Sequence, residues 1–394
     1  MRKKIDLVED TIDKEDVDHL IEWLKTYPRL TKGPKTIEYE KKWSKWIGSK
    51  YSVFVNSGSS ANLLMLYALS VMGKMKNKKV VVPALAWATD MAPVIQLGFE
   101  PLICDCNLEN LSVDLSQLES IFHHHSPAAM ILVSALGLSP DMDKVVALCK
   151  KYGVELLEDN CESQGTEFNG TKLGNFGLMS SFSTYFGHTM STIEGGMIST
   201  NDKDIYDTLM MLRSHGWDRD LDDDKKRELR DKWGTDDFSA LYTFYEPGFN
   251  LRSTDLQAVI GIKQLDKVDS MIDVRNENFY HFLDIMKKHD KKRSIWRPTE
   301  HADSFTASFC YPMIFKSSKA KIKAVSALME NNVEVRPLIC GSMGTQPFFI
   351  SRYKRYETRN AMTVDECGIY VPNHPKMGKE EIEFICKTAI EAVK

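Results

Sequence analysis

No apolar run in the 394-residue sequence is long enough to cross a bilayer. The longest nearly uninterrupted one, Ala128 to Leu138, is far shorter than the roughly 20 residues of a membrane helix. The charged opening MRKKIDLVED lacks the apolar core of a secretory signal, so a soluble, cytoplasmic protein is expected. Net charge is also scarce. Fifty-one basic and 55 acidic residues leave −4, which provides no cationic face for nucleic acid or anionic lipid and points to small-molecule partners. The eight cysteines, at 104, 106, 149, 161, 310, 340, 367 and 386, are scattered through mostly apolar segments, as reduced core thiols rather than a disulfide framework. Cys104 and Cys106 alone cannot complete a zinc site, and His123, His124 and His125 have no further ligand at metal spacing, so the triplet is read as a helix end. No internal repeat or low-complexity tract is present.

What the sequence does have is a composition for a large core, 43% hydrophobic, in a length that suits one large and one smaller domain. Short β-rich runs recur: YSVFVN (51 to 56), KVVVP (79 to 83), PLICD (101 to 105), AMILVSA (129 to 135), VELLED (154 to 159), MSSFST (179 to 184) and GMIST (196 to 200). Helical periodicity lies between them, in Ser60 to Met72, Asp141 to Lys151 and Asp202 to Arg213. This alternation predicts a mostly parallel sheet covered by helices on both faces, with ligands bound beyond the carboxyl ends of its strands. After Thr254 the pattern changes to long helices over 255 to 268 and about 270 to 290, a strand near 307 to 315, a helix near 318 to 330 and a last helix from Lys379. The expected division is therefore 1–254, an N-terminal arm with the large α/β domain, and 255–394, a smaller α+β domain. The charged stretch 218 to 237 reads as a solvated loop or short helix.

Three features converge on one edge of that sheet. Asn56 to Asn62 (NSGSSAN) joins a strand to a helix, where free backbone N–H groups and the helix dipole can hold a phosphate; a plain Ser/Asn helix cap is the alternative. Asp159 closes VELLED and could pair with a protonated pyridine nitrogen, or merely cap a helix. Trp87 follows KVVVP and could stack on an aromatic cofactor, or belong to the core.

The segment Ser181 to Gly196, SFSTYFGHTMSTIEGG, resembles the cofactor-anchoring segment of the DegT/DnrJ/StrS sugar aminotransferases, in which a lysine precedes Glu-Gly-Gly by six residues. The matching residue is His188, and no Lys or Arg occurs from Phe182 to Gly196. Ser57-Gly58-Ser59, Trp87, Glu158 to Ser163 (EDNCES), Gly174-x-x-Gly177, His215-Gly216-Trp217-x-Arg219 and Gly248 to Arg252 (GFNLR) follow in family order. The resemblance implies fold type I of the pyridoxal phosphate enzymes, aspartate aminotransferase-like, with a three-layer α/β/α large domain. It implies phosphate contacts from Ser57, Gly58, Ser59 and Ser183, with Asn250 contributed by a neighbouring subunit of a homodimer. It further implies ring stacking by Trp87, the pyridine contact at Asp159, and Glu162 near the cofactor. Arg29, Thr31, His215, Arg219 and Arg252 become the implied substrate contacts.

Histidine in place of lysine changes the chemistry. Imidazole can shuttle a proton but cannot hold the cofactor covalently, which points to free pyridoxamine phosphate. The combination resembles the lysine-less, colitose-pathway branch of the family, PMP-dependent 3-dehydratases of nucleotide-linked 4-keto-6-deoxy sugars such as GDP-4-keto-6-deoxymannose. That likeness implies glutamate as the donor restoring pyridoxamine phosphate from pyridoxal phosphate. Another histidine-bearing branch carries an iron–sulfur cluster, but no cysteine lies between Cys161 and Cys310, so none is expected here. An aminotransferase whose lysine was replaced at 188, or a catalytically silent cofactor-binding relative, remains an alternative.

Overall fold

The computed structural model describes residues 3–299, 304–339 and 341–394, so the thiol at Cys340 lies outside the described residues. Its centre is a seven-stranded sheet of β1 (Tyr51–Val55), β2 (Lys79–Pro83), β3 (Glu100–Cys104), β4 (Ala129–Val133), β5 (Glu155–Asp159), β6 (Met179–Ser183) and β7 (Gly196–Thr200), in the order β1-β7-β6-β5-β4-β2-β3. Each coincides, within a residue or two, with a run read from the sequence. Strands β3, β2, β4, β5 and β6 pair in parallel, while β7 runs antiparallel to both β6 and β1. Two reversals restore direction, so β1 points the same way as β5 and β6. The ends of β1, β5 and β6 and the start of β7 therefore share one edge.

The central strands β4, β6 and β7 are buried at every position, as expected where helices cover both faces. The helix Gly58–Val71 is apolar on nearly all sides and packs against β6 and β7. Glu158, one residue before the end of β5, is buried and accepts backbone hydrogen bonds from Gly174 (2.7 Å), Phe176 (2.8 Å) and Gly177 (2.6 Å), which closes the Gly174-x-x-Gly177 loop beneath the sheet edge.

The two helices expected over 255 to 290 are one, Asp255–His289, started by a capping box between Thr254 and Gln257. No glycine or proline interrupts residues 262 to 289, and buried Val268, Met271, Ile272 and Arg275 carry the contact face through the expected break. This helix packs on both Pro34–Ile47 and the last helix, Lys379–Val393. Beyond it, Cys310–Ile314, Gly368–Pro372 and Arg336–Pro337 form a three-stranded antiparallel sheet beside Ser318–Glu330. The strand Gly368–Pro372 has no counterpart in the sequence reading: it follows directly on the helix Arg359–Cys367, with no turn between them to mark a boundary. The charged insert forms the helix Asp223–Trp233, and His123 to His125 close Leu115–His125. No described helix is long and apolar enough to cross a membrane.

Candidate active site

Asp159 ends β5 with 6% of its surface exposed. Its Oδ1 accepts from Cys161 N (2.8 Å) and its Oδ2 from Asn62 Nδ2 (2.5 Å), so both oxygens are fixed. No helix starts at this point, which removes the capping alternative. Asn62 in turn accepts from Ser181 Oγ (2.5 Å) and also donates toward Asp90 Oδ1 (3.2 Å). Asp90 is fully buried and accepts from Trp87 N (2.9 Å). Trp87 itself is 54% exposed at the start of Ala88–Gln96, so its indole is no core side chain and is free to stack.

Ser57 caps Gly58–Val71 through a bond from Ser60 N (3.1 Å), so the cap and a phosphate-binding helix start coexist here. A Cβ on Gly58 would come within 2.8 Å of both Cys161 Sγ and Ser183 Cβ. That closeness explains the glycine and places Ser57 to Ser59 against Ser183 at the end of β6. Ser59 Oγ reaches Thr89 (3.2 Å), linking this helix start to the one after Trp87.

His188 lies on the turn after β6, its N–H bonded to Tyr185 O (2.9 Å) and its ring against Phe309 at 5.3 Å. The side chain is half-buried, and Nδ1 is covered without a hydrogen-bond partner. Burial pulls His188 down to about 4, assisted by the Arg275 guanidinium and opposed by Asp159. The imidazole is thus neutral near pH 7, the state of a base. Gln264, on the long helix, accepts from Ser191 N (3.2 Å) and anchors the far end of this turn. Glu162 Oε2 accepts from Leu136 N (2.8 Å), and burial with Asp159 nearby pushes its carboxyl up to about 7. Leu136 adopts φ 55°, and its carbonyl takes Phe309 N (3.0 Å), so Glu162 is joined through one strained residue to the wall behind His188.

The depressed histidine has a thermodynamic consequence. A group whose folded pKa lies below its unfolded value contributes stability that is present above the unfolded value and lost as pH falls through the folded one. For His188 that window runs from its ordinary 6.5 down to about 4. Glu162, raised, acts with the opposite sign, its contribution being lost as pH rises through about 7. Cofactor-free His188→Gln is therefore expected to lose less melting temperature than wild type over the acid window, a difference that isolates the imidazole in thermal melts at stepped pH.

The implied substrate residues form a second cluster. His215 (φ 62°) and Gly216 (φ 85°) make a tight turn in which a Cβ on Gly216 would overlap Glu246 O, so glycine is required. The turn holds the His215 ring edge-on to Trp217 at 5.1 Å, and the guanidinium groups of Arg219 and Arg252 lie over the Trp217 ring at 3.8 and 5.7 Å. Asn250, exposed, pairs with Ser214; Arg252 pairs with Val55, and Thr31 with Thr254. Asp255 fixes the loop holding exposed Arg29 and Thr31 by accepting from Gly33 N (2.7 Å) and Thr36 N (2.9 Å). The clusters meet through the backbone at the end of β1, where Asn56 N donates to Leu251 O (3.0 Å).

Ser57 to Ser59, Trp87, Asp159, Glu162, Ser183 and His188 are thus gathered at one sheet edge. Sequence reasoning missed Asp90, Gln264 and Phe309; Asp90 alone left a signal, as an acid three residues after Trp87 in WATD.

The chain belongs to the DegT/DnrJ/EryC1/StrS aminotransferase family, whose model matches residues 10–389. It is 34% identical over 365 residues to GDP-4-keto-6-deoxy-D-mannose 3-dehydratase of Escherichia coli O55:H7, covering 90% of this chain and 92% of that one. Among solved structures, E. coli GDP-4-keto-6-deoxy-D-mannose-3-dehydratase with bound hydrated PLP superposes with a TM-score of 0.87 at 30% identity, over 98% of this chain and 100% of the other. A GDP-4-keto-6-deoxymannose-3-dehydratase with a trapped PLP-glutamate geminal diamine gives 0.85 at 29% identity, over 97% and 99%. The fold is that of the PLP-dependent sugar aminotransferases, fold type I.

Proposed function

We propose that this chain is a pyridoxamine phosphate-dependent 3-dehydratase of a nucleotide-linked 4-keto-6-deoxy sugar of the GDP-4-keto-6-deoxymannose type. The observation that carries the reading is His188, half-buried on the turn after β6 with its Nδ1 unpartnered, where the family's lysine would stand.

The residues present fit the cofactor. The glycine-backed helix start at Ser57 to Ser59 with Ser183 suits its phosphate, the fixed carboxylate of Asp159 its pyridine nitrogen, and exposed Trp87 its ring. The unpartnered Nδ1 of His188 is a polar atom awaiting a ligand. When bound, pyridoxamine phosphate supplies an amine that condenses with the C4 ketone and a conjugated ring that takes up electrons. His188 removes a proton from the carbon bearing that amine and returns it to the C3 hydroxyl as the hydroxyl departs. Glu162, whose carboxyl burial pushes up to about 7, stands near the cofactor in this reading. Arg29, Thr31, His215, Arg219 and Arg252 bind the nucleotide sugar, and Asn250 reaches the phosphate of the neighbouring subunit in a homodimer. Glutamate restores the amine, a role supported by the glutamate-bound relative. No iron–sulfur cluster takes part; the support is the cysteine-free interval from Cys161 to Cys310. In this reading 1–254 is the cofactor-binding unit, 255–394 the smaller domain, and the cytoplasm the site of action.

The test incubates the protein with pyridoxal phosphate, glutamate and a panel of 4-keto nucleotide sugars, with products read by mass spectrometry. A 3-deoxy-4-keto product with ammonia is expected, and borohydride should leave no pyridoxyl group on any lysine. A 4-amino sugar would establish an aminotransferase, and no product with any sugar a silent relative.

A further inference from the structure

We propose that Asp90 stands as an un-ionised carboxylic acid that donates its proton to Asp159, making it a positioning residue for the carboxylate that faces the cofactor.

Two buried carboxyl groups share one asparagine at the sheet edge, Asp90 with 0% and Asp159 with 6% of its surface exposed. One amide nitrogen, Asn62 Nδ2, reaches both, at 3.2 Å to Asp90 Oδ1 and 2.5 Å to Asp159 Oδ2. That shared donor brings the two carboxyls together, and Asp159 and Glu162, which both act on Asp90, are acids. Two adjacent negative charges in a medium that screens poorly would repel, which favours the un-ionised form of the fully buried Asp90.

The surroundings decide which carboxyl keeps the proton. Asp159 accepts from Cys161 N at 2.8 Å and takes the shorter of the two Asn62 contacts, so donors engage both of its oxygens. Asp90 accepts from Trp87 N at 2.9 Å, while its contact to Asn62 is long. Burial first, then Asp159, pushes Asp90 well above the ordinary carboxylate range. Asp90 therefore acts as donor and Asp159 as acceptor. The hydrogen bond also ties the backbone of Trp87 to Asp159, which fixes the stacking platform relative to the pyridine contact. That last consequence rests on the proposed cofactor.

Asp90→Asn separates the possibilities, because an amide preserves a neutral donor and an acceptor but cannot carry charge. Infrared difference spectra of cofactor-free protein, wild type minus variant, at about pH 7.5 should show loss of an un-ionised carboxylic acid carbonyl band. Loss of ionised carboxylate bands instead would overturn the proposal. Should the variant fail to fold, wild type labelled with carbon-13 at its aspartate carboxyls provides the same reading: one resonance should stay at the un-ionised position between about pH 5 and 8, and its absence refutes the assignment. Pyridoxamine phosphate should bind Asp90→Asn within about twofold of wild type, whereas removing an ionised Asp90 beside a pyridinium would weaken binding on the order of tenfold or more. A loss of that size overturns the neutral-donor role. An acid band in a protein that binds no pyridoxamine phosphate would instead refute the proposed function and leave the protonation of Asp90 standing.

Discussion

His188→Lys is expected to lower 3-dehydration by roughly two to four orders of magnitude while leaving the fold intact. The position sits on a turn held by its ends, at Tyr185 O and at Gln264, and the ring is half-buried against Phe309, so a flexible side chain can be accommodated. The chemistry cannot. The same surroundings that bring imidazole down to about 4 would lower an amine too, but from a starting point near 10.4, leaving an ammonium too weak an acid for the departing C3 hydroxyl. The introduced amine would also be able to hold pyridoxal phosphate covalently, so borohydride should fix the cofactor to the variant and not to wild type. Comparison of 3-deoxy with 4-amino product in the two proteins is the decisive measurement. Equal dehydration rates would show that His188 is not the acid and base.

Asp159→Asn should cost about two to three orders of magnitude in turnover, with some loss of stability because the amide NH2 would face the Asn62 Nδ2 donor. An amide can still accept from Cys161 N, which preserves the turn after β5. What disappears is the buried negative charge on which a protonated pyridine nitrogen depends. Cofactor affinity measured by absorbance titration should fall together with turnover. Because Asp159 also favours the charged form of His188, its removal should lower the histidine further and move the acid limb of the rate profile down in pH. Wild-type turnover would return Asp159 to a purely structural role.

The strands and the order of the site motifs were legible because they are local. Alternation and apolar runs mark each of the seven strands, and the histidine before Glu-Gly-Gly stands in an uninterrupted segment. The domain-spanning helix was misread as two because periodicity reports which face is apolar, and that face here changes partner from Pro34–Ile47 to Lys379–Val393 along one unbroken helix. Glu158 and Asp159 are neighbours of equal charge, and nothing local separates them. Alternation of side chains along β5 turns Glu158 toward the Gly174 to Gly177 loop and leaves Asp159 to Asn62.

The sequence by itself determined the strand succession, the family and the exchange of lysine for histidine at 188, since each is a statement about residue types in order along the chain. Tertiary structure alone decided the state of the groups that would do the chemistry. The depression of His188 comes from burial and from Arg275, the elevation of Glu162 from burial, and the partnership of Asp90 with Asp159 from one asparagine on another helix. Protonation depends on distance, solvent exclusion and hydrogen-bond count, and those quantities come into existence only when β1, β2, β5 and β6 bring their ends to a common edge.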